Sequence, residues 1–230
     1  GLGRTGVQGA EDALSLAQHV DATEGLRLDG LFYYPGHVRC AVEKQQPLME
    51  DVEQQLRRTL DLWSRSGMEA GIVSGGSTPT QFQSHHVPST TEIRAGTSLV
   101  FDRIYFLYGF CQREDIAARI VATVVSNAAP GKVVIDSGTK ALSSDRLIGL
   151  SNEADFGIIE EYPDASVQFL SEEHGEVDLT RSDRLPELGE RIHIIPNHVC
   201  PTVNLQNHIY LRHEDDQIEE IPVDARGMLS

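Results

Sequence analysis

The chain has 230 residues, of which 40% are hydrophobic, and 35 acidic against 19 basic residues give it a formal charge of −16. A surface this acidic repels phosphate backbones and anionic lipids, so nucleic-acid and membrane partners are disfavoured. No apolar run approaches the roughly 20 residues of a membrane span. The three cysteines are far apart, which favours a reducing, cytoplasmic compartment over a disulfide framework.

The first half of the chain alternates helix and strand signals. Apolar residues recur at helical spacing in AEDALSLAQHV and in PLMEDVEQQLRRTLDLW, where Pro47 suits the first turn. Strand signals lie near residues 28–34, 70–74 and 92–100, and each is followed by a turn. This rhythm predicts parallel strands joined by crossover helices.

After about residue 110 the pattern changes to β-branched runs separated by turns. These runs are ARIVATVVSNAAPGKVVIDSG, FGIIEEYP, ASVQFLSEEHG, RIHIIPNHVC and NHIYLRHEDDQIEEIPVD. A helix is expected only around REDIAAR. The second half is therefore predicted to be a mostly β domain, with the boundary near 105–118.

Two loops in the first half are candidates for binding a phosphate. VSGGSTPT ends a strand with two glycines and several hydroxyls, whose donors suit an anion, although an ordinary polar loop has the same composition. IRAGT places Arg94 near the end of the next strand, followed by the amide of Gly96. The alternative for Arg94 is a surface ion pair with Glu92.

LFYYPGH gives Tyr33 and Tyr34 alternate faces of one strand end. One of the two is expected to face the edge of the sheet where functional sites gather, and the alternative is aromatic packing under a helix.

PNHVCPTVN places His198 and Cys200 two residues apart. On an extended strand both side chains point to the same face, and a thiolate with an imidazole suits zinc. The alternative is a small buried thiol beside a surface histidine.

Taken together, GLGRTGV, LFYYPGH, GIVSGGSTPT, TEIRAGT, DSGTKALSSD, SEEHG, PNHVCPTVN and VDARG occur in the order seen in one enzyme group. The chain resembles the D-threonine aldolase and D-serine dehydratase group, which are pyridoxal-phosphate enzymes of the alanine racemase fold type. The resemblance implies an α/β fold in which residues 1–110 form the C-terminal half of a (β/α)8 TIM-type barrel. Residues 111–230 would then form the β domain that carries the metal site, and the protein would be a homodimer.

The resemblance also implies roles for individual residues. Arg4 matches an arginine near the phenolic oxygen of the cofactor, Tyr34 a position beside its pyridine ring, and Arg94 a position facing the pyridine nitrogen. The residues that match the phosphate-binding loops are Ser74, Gly75, Gly76, Ser77, Thr78, Gly96 and Thr97. His198 and Cys200 match a pair that binds a divalent metal, most simply zinc, with manganese or magnesium as alternatives.

The lysine to which the family attaches the cofactor has no counterpart among Lys44, Lys132 and Lys140. We therefore expect this chain to be the C-terminal part of a longer protein, with the lysine upstream.

The implied function is a metal-activated lyase that acts on β-hydroxy D-amino acids. Cys200 favours the zinc-dependent dehydratase branch, whereas YYPGH and VDARG favour the aldolases. An amino-acid racemase of the same fold is a further alternative because of Arg94. A non-catalytic metal-binding or dimerisation fragment is the alternative from another class of protein.

Overall fold

The computed structural model describes residues 2–147 and 155–228. Its contacts divide the chain into two compact units, Gly1–Ser98 and Leu99–Ser230. Each unit has its own hydrophobic core, so each is described by itself below.

The division between the units falls ahead of the boundary near 105–118 that the sequence pattern gives. The reason is a small apolar cluster inside the second unit, in which Tyr105 and Phe106 pack against Ile195. The residues after Ser98 therefore belong to the β unit by their packing, although their sequence carries no strand pattern.

The first unit is a small parallel sheet with helices. Its elements are α1 (Ala10–Asp21), β1 (Gly30–Phe32), α2 (Gln46–Arg65), β2 (Ile72–Gly75) and β3 (Glu92–Ile93). The strands are parallel in the order β1-β2-β3, as the sequence predicts. β3 is shorter than the predicted strand 92–100, because the chain turns into a 3₁₀ helix at Gly96–Leu99.

Helix α2 supplies half of the buried residues in the core cluster of the first unit. Met49, Val52 and Leu56 lie on one stripe of the helix and are buried with Val73 of β2. The spacing of these residues puts them on one face of a 3.6-residue period, which is why the periodicity of the sequence predicts this helix.

The second unit is a nearly closed antiparallel sheet with short helices. Its sheet strands are β4 (Ile120–Ser126), β5 (Lys132–Ile135), β6 (Gly157–Ile159), β7 (Ser166–Leu170), β8 (Gly175–Asp178) and β9 (Arg191–Pro196). They run in the order β6-β9-β4-β5-β8-β7. The N–H of Phe156, next to β6, donates to the carbonyl of Val167 on β7 at 3.1 Å, so the two outer strands approach each other. The aliphatic core fills the inside of this sheet.

The remaining elements of the second unit are short. They are the helices α3 (Arg103–Leu107), α4 (Thr139–Leu142) and α5 (Val199–Leu205), and the hairpin of β10 (His208–Arg212) with β11 (Ile218–Pro222). The hairpin follows the sequence prediction. The helix expected around REDIAAR is wrong, since that stretch forms only a 3₁₀ turn at Arg113–Asp115.

Among the described residues, no helix is long and apolar enough to cross a membrane.

Candidate functional site

The two predicted phosphate-binding loops leave the same edge of the parallel sheet. β2 and β3 are parallel neighbours, with Ser74 opposite Glu92 and Gly75 opposite Ile93. The loops after them therefore both begin at the carboxyl ends of adjacent strands, where ligands of α/β sheets bind. The backbone N–H of Arg94 donates to the carbonyl of Gly75 at 2.8 Å and ties the loops together at their base.

The first loop is buried and needs a glycine. Residues 73–78 are all buried, and Gly76 has a φ of +83°, a conformation that glycine adopts without strain. Ser77 then caps the 3₁₀ helix Thr78–His86 in a mutual arrangement with Thr80, whose hydroxyl accepts the N–H of Ser77 at 3.1 Å. These contacts hold the loop at the start of the 3₁₀ helix.

The second loop begins another 3₁₀ turn. Gly96 and Thr97 are its first two residues, and Thr97 is buried. Both loops therefore lead into 3₁₀ helices at the ends of neighbouring strands, and the family resemblance assigns both of them to the phosphate.

Arg94 is already engaged with its neighbours. Its Nε donates to Ser74 Oγ at 2.6 Å, and its guanidinium lies 4.7 Å from the centre of the Phe32 ring. Its Nη2 is 3.9 Å from Glu92 Oε1, so the surface ion pair considered from the sequence is also present. An exposed pair at that distance contributes little to stability, and the contact with Ser74 is the one that fixes Arg94 on the loop.

The two tyrosines of LFYYPGH face opposite ways. Tyr33 packs into the core of the unit, and its hydroxyl lies 2.8 Å from Thr90 Oγ1. Tyr34 is 40% exposed, and the guanidinium of Arg4 lies 5.5 Å from its ring centre. The structure therefore brings together Arg4 and Tyr34, which the resemblance places around the cofactor ring.

His198 and Cys200 do not lie on an extended strand, and that part of the prediction is wrong. β9 ends at Pro196, His198 is the residue that precedes α5, and Cys200 lies in the first turn of that helix. Pro201 fits this turn because the first amides of a helix need no intrahelical partner. The side chains of His198 and Cys200 nevertheless lie close enough to interact, since Cys200 is the largest influence on the pKa of His198.

Asp145 contacts the Nδ1 atom of the His198 ring. Its Oδ2 is 2.6 Å from His198 Nδ1, although the two residues are 53 positions apart in the chain. The contacts with Cys200 and Asp145 outweigh partial burial and raise the pKa of His198 to about 9. No feature of the sequence pattern indicates Asp145 beyond its place at the end of DSGTKALSSD.

Asp102 fixes the start of α5. One of its carboxylate oxygens accepts the N–H of Val199 at 3.0 Å, and the other accepts the N–H of Tyr105 at 3.1 Å. The side chain is fully buried, and burial raises the pKa of this carboxyl. One carboxylate thus caps the first turns of α3 and α5.

Asn197 connects the segments that carry His198 and Asp145. It is fully buried, and its amide group donates to the carbonyls of Asp145 at 2.9 Å and Asp155 at 2.6 Å. Its Oδ1 accepts from Arg103, which also forms a buried ion pair with Asp155. The backbone on both sides of the His198–Asp145 contact is therefore fixed.

Within residues 2–147 and 155–228, no group of three or more His, Cys, Asp or Glu side chains could hold a metal ion by itself. A metal bound by His198 and Cys200 would complete its coordination with water or substrate, as catalytic metals do.

The two units match two family descriptions. Residues 1–104 match "Alanine racemase, N-terminal domain", and residues 117–212 match "Putative serine dehydratase domain". The chain therefore combines a domain of the alanine racemase fold with a β domain of the serine dehydratase type. The chain belongs to the family of D-threonine aldolase and D-serine dehydratase-like proteins.

Individual relatives agree with this assignment. D-threo-3-hydroxyaspartate dehydratase of Delftia sp. (strain HT23) is 31% identical over 77% of this chain and 51% of its own length. The crystal structure of D-threonine aldolase from Filomicrobium marinum aligns with a TM-score of 0.80 and 25% identity, covering 100% of this chain and 62% of that one. This chain therefore spans about half to three fifths of the length of these proteins.

Two structures of D-threo-3-hydroxyaspartate dehydratase variants align with a TM-score of 0.81 at 25% identity, over 96% of this chain and 62% and 61% of theirs. One carries alanine in place of a cysteine and is in the metal-free form. The other carries alanine in place of a histidine two positions earlier. The spacing of these two substituted residues is that of His198 and Cys200.

Proposed function

We propose that this chain forms the phosphate-binding and metal-binding parts of a pyridoxal 5'-phosphate-dependent lyase that acts on β-hydroxy D-amino acids. The observation that carries the proposal is the His198–Cys200 pair at the start of α5, with Asp145 on Nδ1 of the imidazole. A histidine and a cysteine with the same spacing are the residues substituted in the two dehydratase variants.

The residues of the second unit fit a divalent metal. An imidazole nitrogen and a thiolate are ligands that zinc prefers, and manganese or magnesium would favour oxygen ligands instead. His198 is only partly buried, so water and substrate can reach the remaining positions. A divalent metal bound there would supply Lewis acidity toward a substrate oxygen.

The residues of the first unit fit the phosphate and ring of the cofactor. The loops at Ser74–Thr78 and Gly96–Thr97 would bind the phosphate, and Arg4 with Tyr34 would orient the ring. Pyridoxal 5'-phosphate, when bound, stores the negative charge that develops on the substrate. Lys132 and Lys140 are held by Glu176 and Glu173 at 2.8 Å and 2.6 Å, which supports the expectation that neither carries the cofactor.

Aldolase and dehydratase activities use the same residues, so both remain within the proposal. Cys200 favours a dehydratase, because D-threo-3-hydroxyaspartate dehydratase also has a cysteine two positions after a histidine. Racemisation is the alternative reaction of this fold, and it needs no metal ligands. We also propose a homodimer, which the family resemblance supports, and a cytoplasmic compartment, which the three widely spaced cysteines support.

The first test measures cofactor binding by calorimetry, with pyridoxal as the matched control that lacks the phosphate. We expect pyridoxal 5'-phosphate to bind more tightly than pyridoxal, and Gly76→Ala to remove that difference because alanine strains the loop at positive φ. Equal affinities for both compounds in the unaltered protein would contradict the phosphate site.

The second test measures the enzymatic activity of the polypeptide that the gene encodes, with and without added zinc. The substrates are D-serine, D-threonine and D-threo-3-hydroxyaspartate, with their L-enantiomers as controls. An aldehyde product identifies an aldolase, and a 2-oxo acid with ammonia identifies a dehydratase. Racemisation alone, unaffected by a chelator, would overturn the proposal in favour of the alternative.

A further inference from the structure

Asp145 makes a short contact with His198, although neither side chain is buried and neither needs a partner to replace water. The Oδ2 to Nδ1 distance is 2.6 Å, and the two side chains are 45% and 35% exposed. Exposed ion pairs contribute little to folding, so stability alone gives a weak reason for the contact. A role in the chemistry of the imidazole is the stronger reason.

The position of the carboxylate is set by the backbone around it. The carbonyl of Asp145 accepts a hydrogen bond from the buried Asn197 at 2.9 Å, and its N–H donates to Ser143 Oγ at 3.3 Å. Asn197 is also the chain neighbour of His198. The same buried amide therefore fixes both the residue that carries the carboxylate and the residue that carries the ring.

The contact decides which nitrogen of His198 is available. A carboxylate accepts a hydrogen bond, so Nδ1 carries the proton that is donated to Asp145. A neutral imidazole with its proton on Nδ1 presents the lone pair of Nε2. Histidines that ligate metals commonly donate their other nitrogen to a carboxylate in this way, which orients the ring and makes it a stronger ligand.

We propose that Asp145 is a positioning residue that holds His198 with Nδ1 protonated and Nε2 directed at a divalent metal. This inference rests on the proposed function, because it requires that His198 and Cys200 bind the metal. Asp145 acts through the ring and does not itself contact the metal.

The chain offers a matched control for this contact. Glu161 Oε1 lies 2.6 Å from Nδ1 of His193, which is the same kind of pair at the same distance in the same unit. His193 lies on β9 and is no part of the proposed metal site. Glu161→Gln, the counterpart of Asp145→Asn, therefore reports what the loss of the negative charge beside an imidazole does elsewhere.

The experiment titrates zinc against a chromophoric chelator in the unaltered protein and in Asp145→Ala, Asp145→Asn, Glu161→Gln and His198→Ala. We expect Asp145→Ala to weaken zinc affinity by about 10–100-fold, the usual effect of losing such a partner. Asp145→Asn should recover part of the loss, since its carbonyl oxygen still accepts from Nδ1. Glu161→Gln should leave the affinity unchanged, and His198→Ala should abolish binding.

A second readout detects the protonated nitrogen directly. In nitrogen-15 spectra of the zinc-loaded protein, His198 should carry its proton on Nδ1, and Asp145→Ala should lose the exchange-protected Nδ1 proton signal. Circular dichroism checks that each variant folds. If Asp145→Ala does not fold, Asp145→Asn and the spectrum of the unaltered protein still decide the question.

The outcomes separate the inference from the proposed function. Absence of zinc binding in the unaltered protein contradicts the metal site itself and the inference with it. Zinc binding that Asp145→Ala leaves unchanged overturns the inference and preserves the proposed function. Loss of binding in both Asp145 variants as complete as in His198→Ala also overturns it, because Asp145 would then be a ligand.

Discussion

Asp102 and Val199 are 97 residues apart in the chain, yet a carboxylate oxygen of Asp102 accepts the backbone N–H of Val199 at 3.0 Å. The other oxygen accepts the N–H of Tyr105. This single buried side chain therefore satisfies donors at the beginnings of α3 and α5, and it sets the backbone from which His198 and Cys200 project.

Asp102→Ala should destabilise the protein by about 1–3 kcal/mol, because it removes a helix cap and leaves buried donors without an acceptor. It should also weaken zinc binding, since the first turn of α5 loses its anchor. Urea unfolding and the zinc titration measure the two effects. Asp164→Asn, at an exposed carboxylate between β6 and β7, is the control and should change neither. An unchanged unfolding free energy in Asp102→Ala would refute the double cap.

Glu53 gives the first unit a contribution to stability that depends on pH. Burial alone raises the pKa of this carboxyl, but hydrogen bonds from Arg57 and Ser89 outweigh burial and lower the pKa below the usual value of a glutamate. Since the folded pKa is the lower one, the stabilisation is complete above the unfolded pKa and is lost as the pH falls through the folded pKa.

Glu53→Gln should therefore cost most near neutral pH, and the difference from the unaltered protein should shrink as the pH falls below the unfolded value. The measurement is the unfolding free energy of both proteins across the acid range. Glu50→Gln is the control on the same helix, because Glu50 is exposed and accepts only from Gln46 among the hydrogen bonds described. A cost that grows toward acid pH would show that the sign is wrong.

Tyr33 and Tyr34 should respond differently to substitution. Tyr33→Phe loses the hydrogen bond to Thr90 inside the unit and should cost about 1 kcal/mol of stability, with no change in affinity for pyridoxal 5'-phosphate. Tyr34→Ala should weaken cofactor binding with little loss of stability, because this ring is 40% exposed. Thermal unfolding and calorimetry measure the two properties. The reverse pattern would place the cofactor on the other face of β1.

Gly36 should be required for the placement of Tyr34. A Cβ at Gly36 would lie 2.3 Å from Tyr34 Cε1 and 2.6 Å from Leu2 Cδ1. Since both are side-chain atoms near the surface, Gly36→Ala should displace Tyr34 from Arg4 without unfolding the unit. We expect weaker binding of the cofactor, measured by calorimetry. Gly71→Ala is the control, because its Cβ would meet its nearest neighbour at 3.5 Å, an ordinary contact.

The sequence predicted the elements that depend on local pattern. The stripe of α2, the parallel order β1-β2-β3 and the β10–β11 hairpin follow from periodicity and turn residues. α5 was missed because its segment holds β-branched residues and a proline, and its start depends on Asp102, far away in the chain. Asp145 could not be assigned for the same reason, since nothing in the spacing of 53 residues indicates a contact with His198.

The carboxylate of Asp102 has a consequence for the electrostatics around a substrate. It accepts the hydrogen bond of the Val199 N–H at the N-terminus of α5. The partial positive charge of this helix end would otherwise attract an anion. With Asp145 on His198 as well, two acidic side chains border the proposed metal ligands. In the proposed reaction, these two side chains would disfavour the carboxylate of an amino-acid substrate beside the first turn of α5.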